Sequence, residues 1–296
     1  MLRPLSIFCK SYKTDLRRVH RLMRSIKKYN DEKIPVYISV PSEDVTLFEE
    51  NLKDFEVSIL SDLDVVTKNP RLSLDQFCAL PGNIAQQIVK ADFWRLNYSE
   101  NYVCVDSDAM FIRPFQTGSY LSECGTPYTV IDEGHEILNE SLRKSRQHVI
   151  TNFLKESRKM KSIFNRNGID YSFGPFPVVW NYRVWESLEK NYLSEHGISI
   201  LDAICQCPVE SHWYGEALLK YKAIPVLPRQ AIFYVYHYWW QYSEHKKHNV
   251  TEADLALIYD GIIYQSAWER EMDWPIEGGN IASKLARRFR RAIGRA

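Results

Sequence analysis

The sequence has little of what builds a disulfide framework or a zinc site. Its six cysteines, at positions 9, 78, 104, 124, 205 and 207, include no CxxC pair. Cys205 and Cys207 form the one close pair, and a single pair lacks the further Cys or His ligands that zinc requires. Free thiols are typical of a reducing cytoplasm.

Long apolar runs are also missing. Nowhere do about 18 apolar residues follow one another, as a membrane-spanning helix requires. Residues 1–8 enter a predicted strand too early for a signal peptide. We therefore expect a cytoplasmic protein that neither spans a membrane nor is exported through a signal peptide. The net charge of +1 argues against general nucleic-acid binding, which needs a strongly basic domain.

The composition and the pattern of elements fit one substantial α/β domain. With 296 residues, 45% of them hydrophobic and 25% charged, the chain is ordinary for a soluble globular protein. Strands are predicted over residues 5–9 and 36–40, with a helix over 16–29 between them and another that starts near Ser42 with a capping-box-like pattern. Such alternation predicts parallel strands, so the first strand should end beside the strand of residues 102–105.

Two carboxylates end that strand. Asp106 and Asp108 follow the apolar residues 102–105 and are separated by Ser107. In open α/β sheets, ligands bind at the carboxyl ends of parallel strands. Two hard oxygen donors at this edge suit Mg²⁺ or Mn²⁺, whose remaining positions are filled by water and phosphate oxygens. The alternative is a surface turn, because Asp and Ser are common turn residues.

Four segments, taken in order, carry a resemblance to a known family: residues 11–15 (SYKTD), residues 86–90 (QQIVK), residues 106–115 (DSD followed by RPF), and residues 210–215. The chain resembles the nucleotide-sugar glycosyltransferases of the GT-A fold and, among them, the bacterial polysaccharide-biosynthesis transferases of the DUF6492 type. His212-Trp213 and the charged residues 140–167 depart from that pattern. The resemblance implies a Rossmann-like α/β fold with a mixed, mainly parallel sheet flanked by helices, comprising residues 1–280.

The resemblance also implies a metal site. In it, Asp106 and Asp108 bind Mn²⁺ or Mg²⁺ together with the donor diphosphate. A C-terminal histidine often completes such sites, and His237 is the candidate. Residues 234–240 are strongly aromatic and predict a strand around His237. A lone histidine on an apolar strand is otherwise a hydrogen-bonded core residue.

The residues predicted to bind the nucleotide sugar are Ser11, Tyr12, Lys13, Gln87, Lys90, Asp106 and Ser107. The first three lie on the loop that opens the first helix, where backbone amides favour anions and a tyrosine ring can stack on a base. Lys90 lies on a helix predicted to begin at residues 81–83, and a lysine near the diphosphate would offset its charge. The alternative for the lysines is simple solvation.

Glu210 is the predicted catalytic base. An inverting transferase needs a carboxylate or an imidazole that deprotonates the acceptor hydroxyl, and the resemblance places this group at the start of a helix. Glu216, on another face of that helix, and His212 are the other candidates. Glu210 could equally be a favourable charge at a helix N-terminus.

Two central segments are ambiguous. Residues 133–167 have few apolar positions and predict an exposed helical excursion or a mobile flap over the acceptor side. Residues 171–180 are aromatic and rich in turn formers, which suits either a wall for an acceptor sugar or core packing.

The C-terminal residues 281–296 predict a basic amphipathic helix. Residues 283–296 carry six cations and no acid, with Leu285, Phe289 and Ile293 at helical spacing. Such a helix binds an anionic membrane surface. A solvated tail is the alternative, and nucleic acid is a weaker third choice.

Together these features predict a metal-dependent glycosyltransferase. It would move a hexose-type sugar from a nucleotide-diphosphate donor, a UDP sugar by preference, to a lipid-linked bacterial glycan at the inner face of the cytoplasmic membrane. Inversion at the anomeric carbon is favoured. The alternatives are a retaining transferase with the same metal site and a non-catalytic nucleotide-sugar-binding component of a polysaccharide assembly complex.

Overall fold

The chain is described by a computed structural model that covers residues 2–272. The predicted basic helix of residues 281–296 lies outside the described residues, and so does its boundary with the preceding domain. None of the helices in the described part of the chain has both the length and the apolar character that crossing a membrane requires. All six cysteines are free thiols, as the sequence predicted.

Short strands and helices alternate along the chain. The strands are β1 (Arg3–Lys10), β2 (Val36–Val40), β3 (Ser58–Ser61), β4 (Ser99–Asp106), β5 (Ala109–Phe111), β6 (Tyr128–Val130), β7 (Val178–Asn181), β8 (Leu227–Arg229), β9 (Phe233–Tyr236) and β10 (Gly261–Tyr264). The helices are α1 (Leu16–Tyr29), α2 (Val45–Leu52), α3 (Asp62–Val66), α4 (Leu74–Cys78), α5 (Gly82–Asp92), α6 (His135–Arg143), α7 (Gln147–Ile163), α8 (Tyr182–Leu188), α9 (Ile200–Gln206), α10 (Glu210–Tyr221), α11 (Trp239–Lys247) and α12 (Glu252–Leu255).

The main sheet has the strand order β3-β2-β1-β4-β7. Its first four strands are parallel, and β7 runs antiparallel to β4. The middles of β1 and β4 are continuously buried, because helices cover both faces of a parallel sheet. Smaller sheets are formed by β5-β10-β9 and by β6-β8. The predicted α/β class with a mixed, mainly parallel sheet is confirmed.

The first elements agree closely with the sequence prediction. α1 and β2 have the predicted bounds, and α1 buries Val19, Leu22, Met23 and Ile26 on one face. The predicted capping box at Ser42 is wrong. A short 3₁₀ turn, Ser42–Asp44, precedes α2, and the Ser42 hydroxyl instead bonds that of Ser61 at 2.6 Å.

The aromatic segment of residues 234–240 is only partly a strand, which corrects the prediction. β9 ends at Tyr236 and α11 begins at Trp239, so His237 lies in the connection. The Gln241 side chain accepts a hydrogen bond from the Tyr238 backbone N–H at 3.0 Å. This cap starts a helix despite the high strand propensity of the aromatic residues.

Residues 133–167 contain two helices, as the helical interpretation predicted. α6 and α7 pack against each other, and α7 buries only Ser157 and Met160. α7 also contacts α10. The predicted function of this segment as a flap over the acceptor stays a prediction.

Candidate functional site

The carboxyl ends of β1 and β4 meet at one edge of the main sheet. Lys10 is paired in register with Asp106, as the predicted parallel arrangement requires. A cavity of about 840 Å³ opens at this edge. Its wall is formed by the loops that follow β1, β2 and β4, by residues of α1, α3, α4 and α5, and by residues 265–266 after β10.

Asp108 is anchored inside the cavity. Its carboxylate accepts a hydrogen bond from the Ser266 backbone N–H at 2.8 Å, and its backbone carbonyl accepts from the Arg21 guanidinium at 2.9 Å and from the Tyr264 N–H at 3.2 Å. Burial and the neighbouring charge of Asp106 raise the pKa of Asp108 to about 7. A cation between the two carboxylates would offset both the cost of burying the Asp108 carboxylate and its repulsion by Asp106.

The donor set of the cavity fits a divalent cation that arrives with an anionic substrate. Five carboxylates face three cationic side chains: Asp15, Glu43, Asp62, Asp106 and Asp108 against Lys10, Arg18 and Lys90. This excess of negative charge would repel a bare diphosphate. Among the described residues, no three His, Cys, Asp or Glu side chains gather as a complete metal site. Asp106 and Asp108 would therefore share the ion with water and phosphate oxygens.

Ser107 makes a bond that the sequence did not predict. Its hydroxyl donates to Asp15 Oδ2 at 2.7 Å, and Asp15 is also bound by the Arg18 guanidinium. The Ser107 side chain thus fixes the loop between the two aspartates against the start of α1. Asp15 and Arg18 were missed as site residues, although Asp15 belongs to the SYKTD segment.

Lys90 projects from α5 into the cavity wall and is buried. Its ammonium lies 2.7 Å from Asp106 Oδ1 and 3.3 Å from Glu210 Oε1. Burial alone would lower the pKa of Lys90, but the charges of Asp106 and Glu210 raise it well above its ordinary value. The ammonium is therefore ionised at the edge where the sequence prediction placed it.

The loop after β1 brings two of its three predicted residues to the cavity. Ser11 and Tyr12 line it. The buried Ser11 hydroxyl has no hydrogen-bond partner, and the Tyr12 ring is 48% exposed. Lys13 is not a lining residue, and its backbone N–H donates to Asp44 Oδ2 at 2.8 Å. Ser11 and Tyr12 therefore remain the ligand candidates of this loop.

The wall of the cavity also includes apolar residues from α3, α4, α5 and the chain between α4 and α5. Leu63, Phe77, Leu80 and Ala85 line it, and sequence reasoning missed all four because their spacing resembles ordinary core packing. On α5, Gln86 lines the cavity. Gln87, which the sequence favoured, donates its side-chain amide to the Asn83 carbonyl within the helix at 3.0 Å.

Of the three candidate bases, Glu210 is linked to Asp106 through Lys90, which contacts both carboxylates. Burial raises the pKa of Glu210, and Lys90 offsets part of that effect. His212 is buried against Phe173, its Nδ1 has no hydrogen-bond partner, and burial lowers its pKa to about 4. Neither side chain is among those that line the cavity.

Glu216 is held elsewhere. Both of its oxygens accept hydrogen bonds from the Arg166 guanidinium, at 2.6 and 2.8 Å, and its side chain is almost fully buried. The structure thus gives Glu216 a packing role between α10 and the chain that follows α7. That arrangement does not favour it as a base.

His237 is not gathered with the two aspartates. Burial lowers the pKa of His237 to about 4, and the one charge that opposes this shift is that of Glu140 on α6. In residues 2–272, no three possible metal ligands form a group, with His237 or without it. The predicted third ligand therefore gains no support from the geometry.

A family model describes most of the chain. It is that of DUF6492, a family of unknown function, and it matches residues 2–254. The chain belongs to this family. No curated protein matches it. The family membership predicted from the sequence is thus confirmed, while the family description itself specifies no activity.

Two solved glycosyltransferase structures are similar to this member of DUF6492. The bifunctional glycosyltransferase WbbM is 13% identical, with a TM-score of 0.48 over 88% of this chain and 46% of WbbM. Mouse xyloside xylosyltransferase 1 is 8% identical, with a TM-score of 0.43 over 89% of this chain and 98% of the transferase. The chain thus spans about half the length of WbbM.

Proposed function

We propose that this protein is a metal-dependent glycosyltransferase that uses a nucleotide-diphosphate sugar. The observation that carries the proposal is the position of Asp106 and Asp108 at the carboxyl end of β4. There they share a cavity of about 840 Å³ with Lys10, Ser11 and Tyr12. Two carboxylates, an excess of negative charge and a nearby buried lysine suit a cation–diphosphate pair better than either ion alone.

Two sets of lining residues suggest an orientation for the donor. Asp106 and Asp108 follow β4, whereas the apolar residues Leu63, Phe77 and Leu80 come from α3, from α4 and from the chain after α4. We place the diphosphate at the aspartates and the nucleobase against these apolar residues. The exposed Tyr12 ring can stack on the base, and the unpartnered Ser11 hydroxyl can bond a polar group of the nucleoside.

The chemistry follows from the groups around the diphosphate. The acceptor oxygen bonds to the anomeric carbon as the bond from that carbon to the phosphate oxygen breaks, and the acceptor proton passes to Glu210. The nucleoside diphosphate departs with the bonding electrons. Asp106 and Asp108 would hold a divalent cation, which would supply Lewis acidity that stabilises the charge on the departing diphosphate.

A retaining transferase is the second candidate. Glu210 is absent from the cavity lining and is bound by Lys90, which does not suit a base that must reach the acceptor. In a retaining reaction the same metal site and donor orientation would serve, and Glu210 would only hold Lys90 in place.

The acceptor and the cellular location rest on the sequence. The six cations of residues 283–296 support contact with an anionic membrane. A lipid-linked bacterial glycan at the inner face of the cytoplasmic membrane is the acceptor that this contact favours. A UDP sugar is the favoured donor.

A thermal-shift screen tests the proposal. The melting temperature is measured with UDP, GDP, CMP and TDP sugars, each with and without Mn²⁺, because a ligand that binds only the folded state raises it. One class of donor should raise it only when Mn²⁺ is present. Incubation of that donor with glycan acceptors, followed by detection of the released nucleotide, separates an enzyme from a binding component. No metal-dependent shift with any donor would refute the proposal.

A further inference from the structure

Lys90 lies between the predicted metal ligand and the predicted base. Its ammonium contacts Asp106 at 2.7 Å, Glu210 at 3.3 Å and the face of the Phe176 ring at 4.2 Å from the ring centre. The Lys90 side chain is only 5% exposed. Two carboxylates and one aromatic face therefore supply most of its stabilisation.

The two carboxylates differ in their surroundings. The Asp106 side chain is 37% exposed and faces the cavity, whereas that of Glu210 is 8% exposed. A divalent cation at Asp106 would share that carboxylate with the Lys90 ammonium, and the two cations would repel each other. Lys90 can leave Asp106 without becoming an unpaired buried charge, because Glu210 already lies within ion-pair distance.

We propose that Lys90 is an exchangeable counter-ion. It neutralises Asp106 while the site lacks a divalent cation, and it transfers to Glu210 when the cation binds with the donor. This inference rests on the proposed function, since it assigns Asp106 to the metal. Lys90 is then a positioning residue that links the state of the donor site to that of Glu210.

The exchange has two consequences for binding. Without donor, the divalent cation competes with Lys90 for Asp106, so its affinity is low until the diphosphate adds further ligands. After the exchange, Lys90 holds Glu210 in its ionised form, which is the form that accepts a proton. A filled donor site thus strengthens the ion pair that keeps Glu210 ionised.

Mn²⁺ binding in the absence of donor tests the exchange directly. Electron paramagnetic resonance of free Mn²⁺ gives the dissociation constant for the wild type and for Lys90→Met. Removal of a competing charge in contact with the ligand should tighten Mn²⁺ binding about tenfold or more. Lys161→Met is the matched control, because it removes a lysine of α7 that is bound to Asp170. It should leave the dissociation constant of Mn²⁺ unchanged.

A second variant keeps the test valid if Lys90→Met does not fold. Glu210→Gln leaves Lys90 with Asp106 as its one ionised partner, so Mn²⁺ should bind about fivefold more weakly. Lys10→Met removes a charge from the same cavity, but from a lysine bound to Asp62 at 3.0 Å. It should tighten Mn²⁺ binding much less than Lys90→Met does.

The outcomes separate this inference from the proposed function. Unchanged or weaker Mn²⁺ binding in Lys90→Met overturns the exchange, and so does an equal gain in Lys10→Met, which would assign the effect to the overall charge of the cavity. If Lys90→Met cannot be obtained folded, unchanged binding in Glu210→Gln overturns it. A wild type that binds Mn²⁺ but no nucleotide overturns the transferase proposal and leaves the exchange standing.

Discussion

Lys10 and Asp106 lie opposite each other as the last paired residues of β1 and β4. Each binds a different partner of opposite charge: Lys10 binds Asp62 at 3.0 Å, and Asp106 binds Lys90 at 2.7 Å. The edge of the sheet therefore carries two separate ion pairs beside each other. A ligand that enters at Asp106 can disturb one pair while the other holds the ends of β1 and β3 together.

Asp108→Asn should abolish metal-dependent donor binding and preserve the fold. The backbone bonds of residue 108 to Arg21 and Tyr264 do not depend on its carboxylate, and an amide has nearly the same shape. Loss of an anionic ligand should weaken UDP binding in the presence of Mn²⁺ by about 100-fold or more. Calorimetry measures the affinity, and the exposed Asp54→Asn is the control. Wild-type affinity in Asp108→Asn would contradict the assignment of Asp108 as a metal ligand.

The pH dependence of Mn²⁺ binding should report the ionisation of the Asp108 carboxyl. Its pKa is raised to about 7 by burial and by Asp106, so below that pH a proton must leave before a cation binds. Mn²⁺ affinity should rise about tenfold per pH unit below pH 7 and level off above it. Calorimetry across this range is the measurement, and a flat profile would contradict the assignment.

The raised pKa of Asp108 also predicts how the stability of the metal-free protein depends on pH. A raised carboxyl pKa means that the folded state binds more protons than the unfolded state, whose carboxyl titrates at about pH 4. The contribution of Asp108 to the free energy of unfolding should therefore be greatest below pH 4 and decline as the pH rises towards about 7. Denaturant titrations compare the wild type with Asp108→Asn, in which this component should vanish.

The local parts of this edge were predictable from sequence. The bounds of α1 and β2 follow from apolar periodicity within a single segment, and the carboxylates of Asp106 and Asp108 directly follow an apolar run. Parallel pairing then places Lys10 beside Asp106. None of these inferences depends on which side chains from distant parts of the sequence are in contact.

The partners of the charged residues were not predictable, because they depend on distant parts of the chain. Ser107 is bound by Asp15, Lys90 by Glu210, and Glu216 by Arg166. A helical carboxylate that will be a base looks the same in sequence as one that will bind an arginine. The aromatic residues 234–240 failed as a strand prediction for a similar reason, since a side-chain cap outweighs local propensity there.

Glu210→Gln should affect turnover, whereas Glu216→Gln should affect stability. If Glu210 accepts the acceptor proton, its amide variant should keep donor affinity at saturating Mn²⁺ and lose about 10²-fold in turnover. Glu216→Gln should instead destabilise the protein by about 3 kcal/mol, because it leaves the mostly buried Arg166 without its carboxylate. Steady-state kinetics and urea denaturation measure the two effects. Normal turnover in Glu210→Gln would favour the retaining reaction.

Gly215→Ala should destabilise the contact between α10 and the loop of residues 171–177. A Cβ atom at position 215 would lie 2.0 Å from Phe173 Cδ1, so the ring and its loop would have to move. Such overpacking should cost about 1–3 kcal/mol. Thermal denaturation measures the loss, and the double variant with Phe173→Leu should recover part of it. Full stability of Gly215→Ala alone would contradict this packing.

Removal of residues 283–296 should separate membrane binding from catalysis. The deletion takes away six cations, each contributing about 1 kcal/mol near an anionic bilayer, together with the apolar residues Leu285, Phe289 and Ile293. Co-sedimentation with anionic vesicles should fall sharply, while the rate on a soluble acceptor stays at the wild-type level because Asp106 and Asp108 are retained. Activity on a membrane-embedded acceptor should fall together with vesicle binding. Vesicle binding that survives the deletion would show that residues 283–296 are a solvated tail.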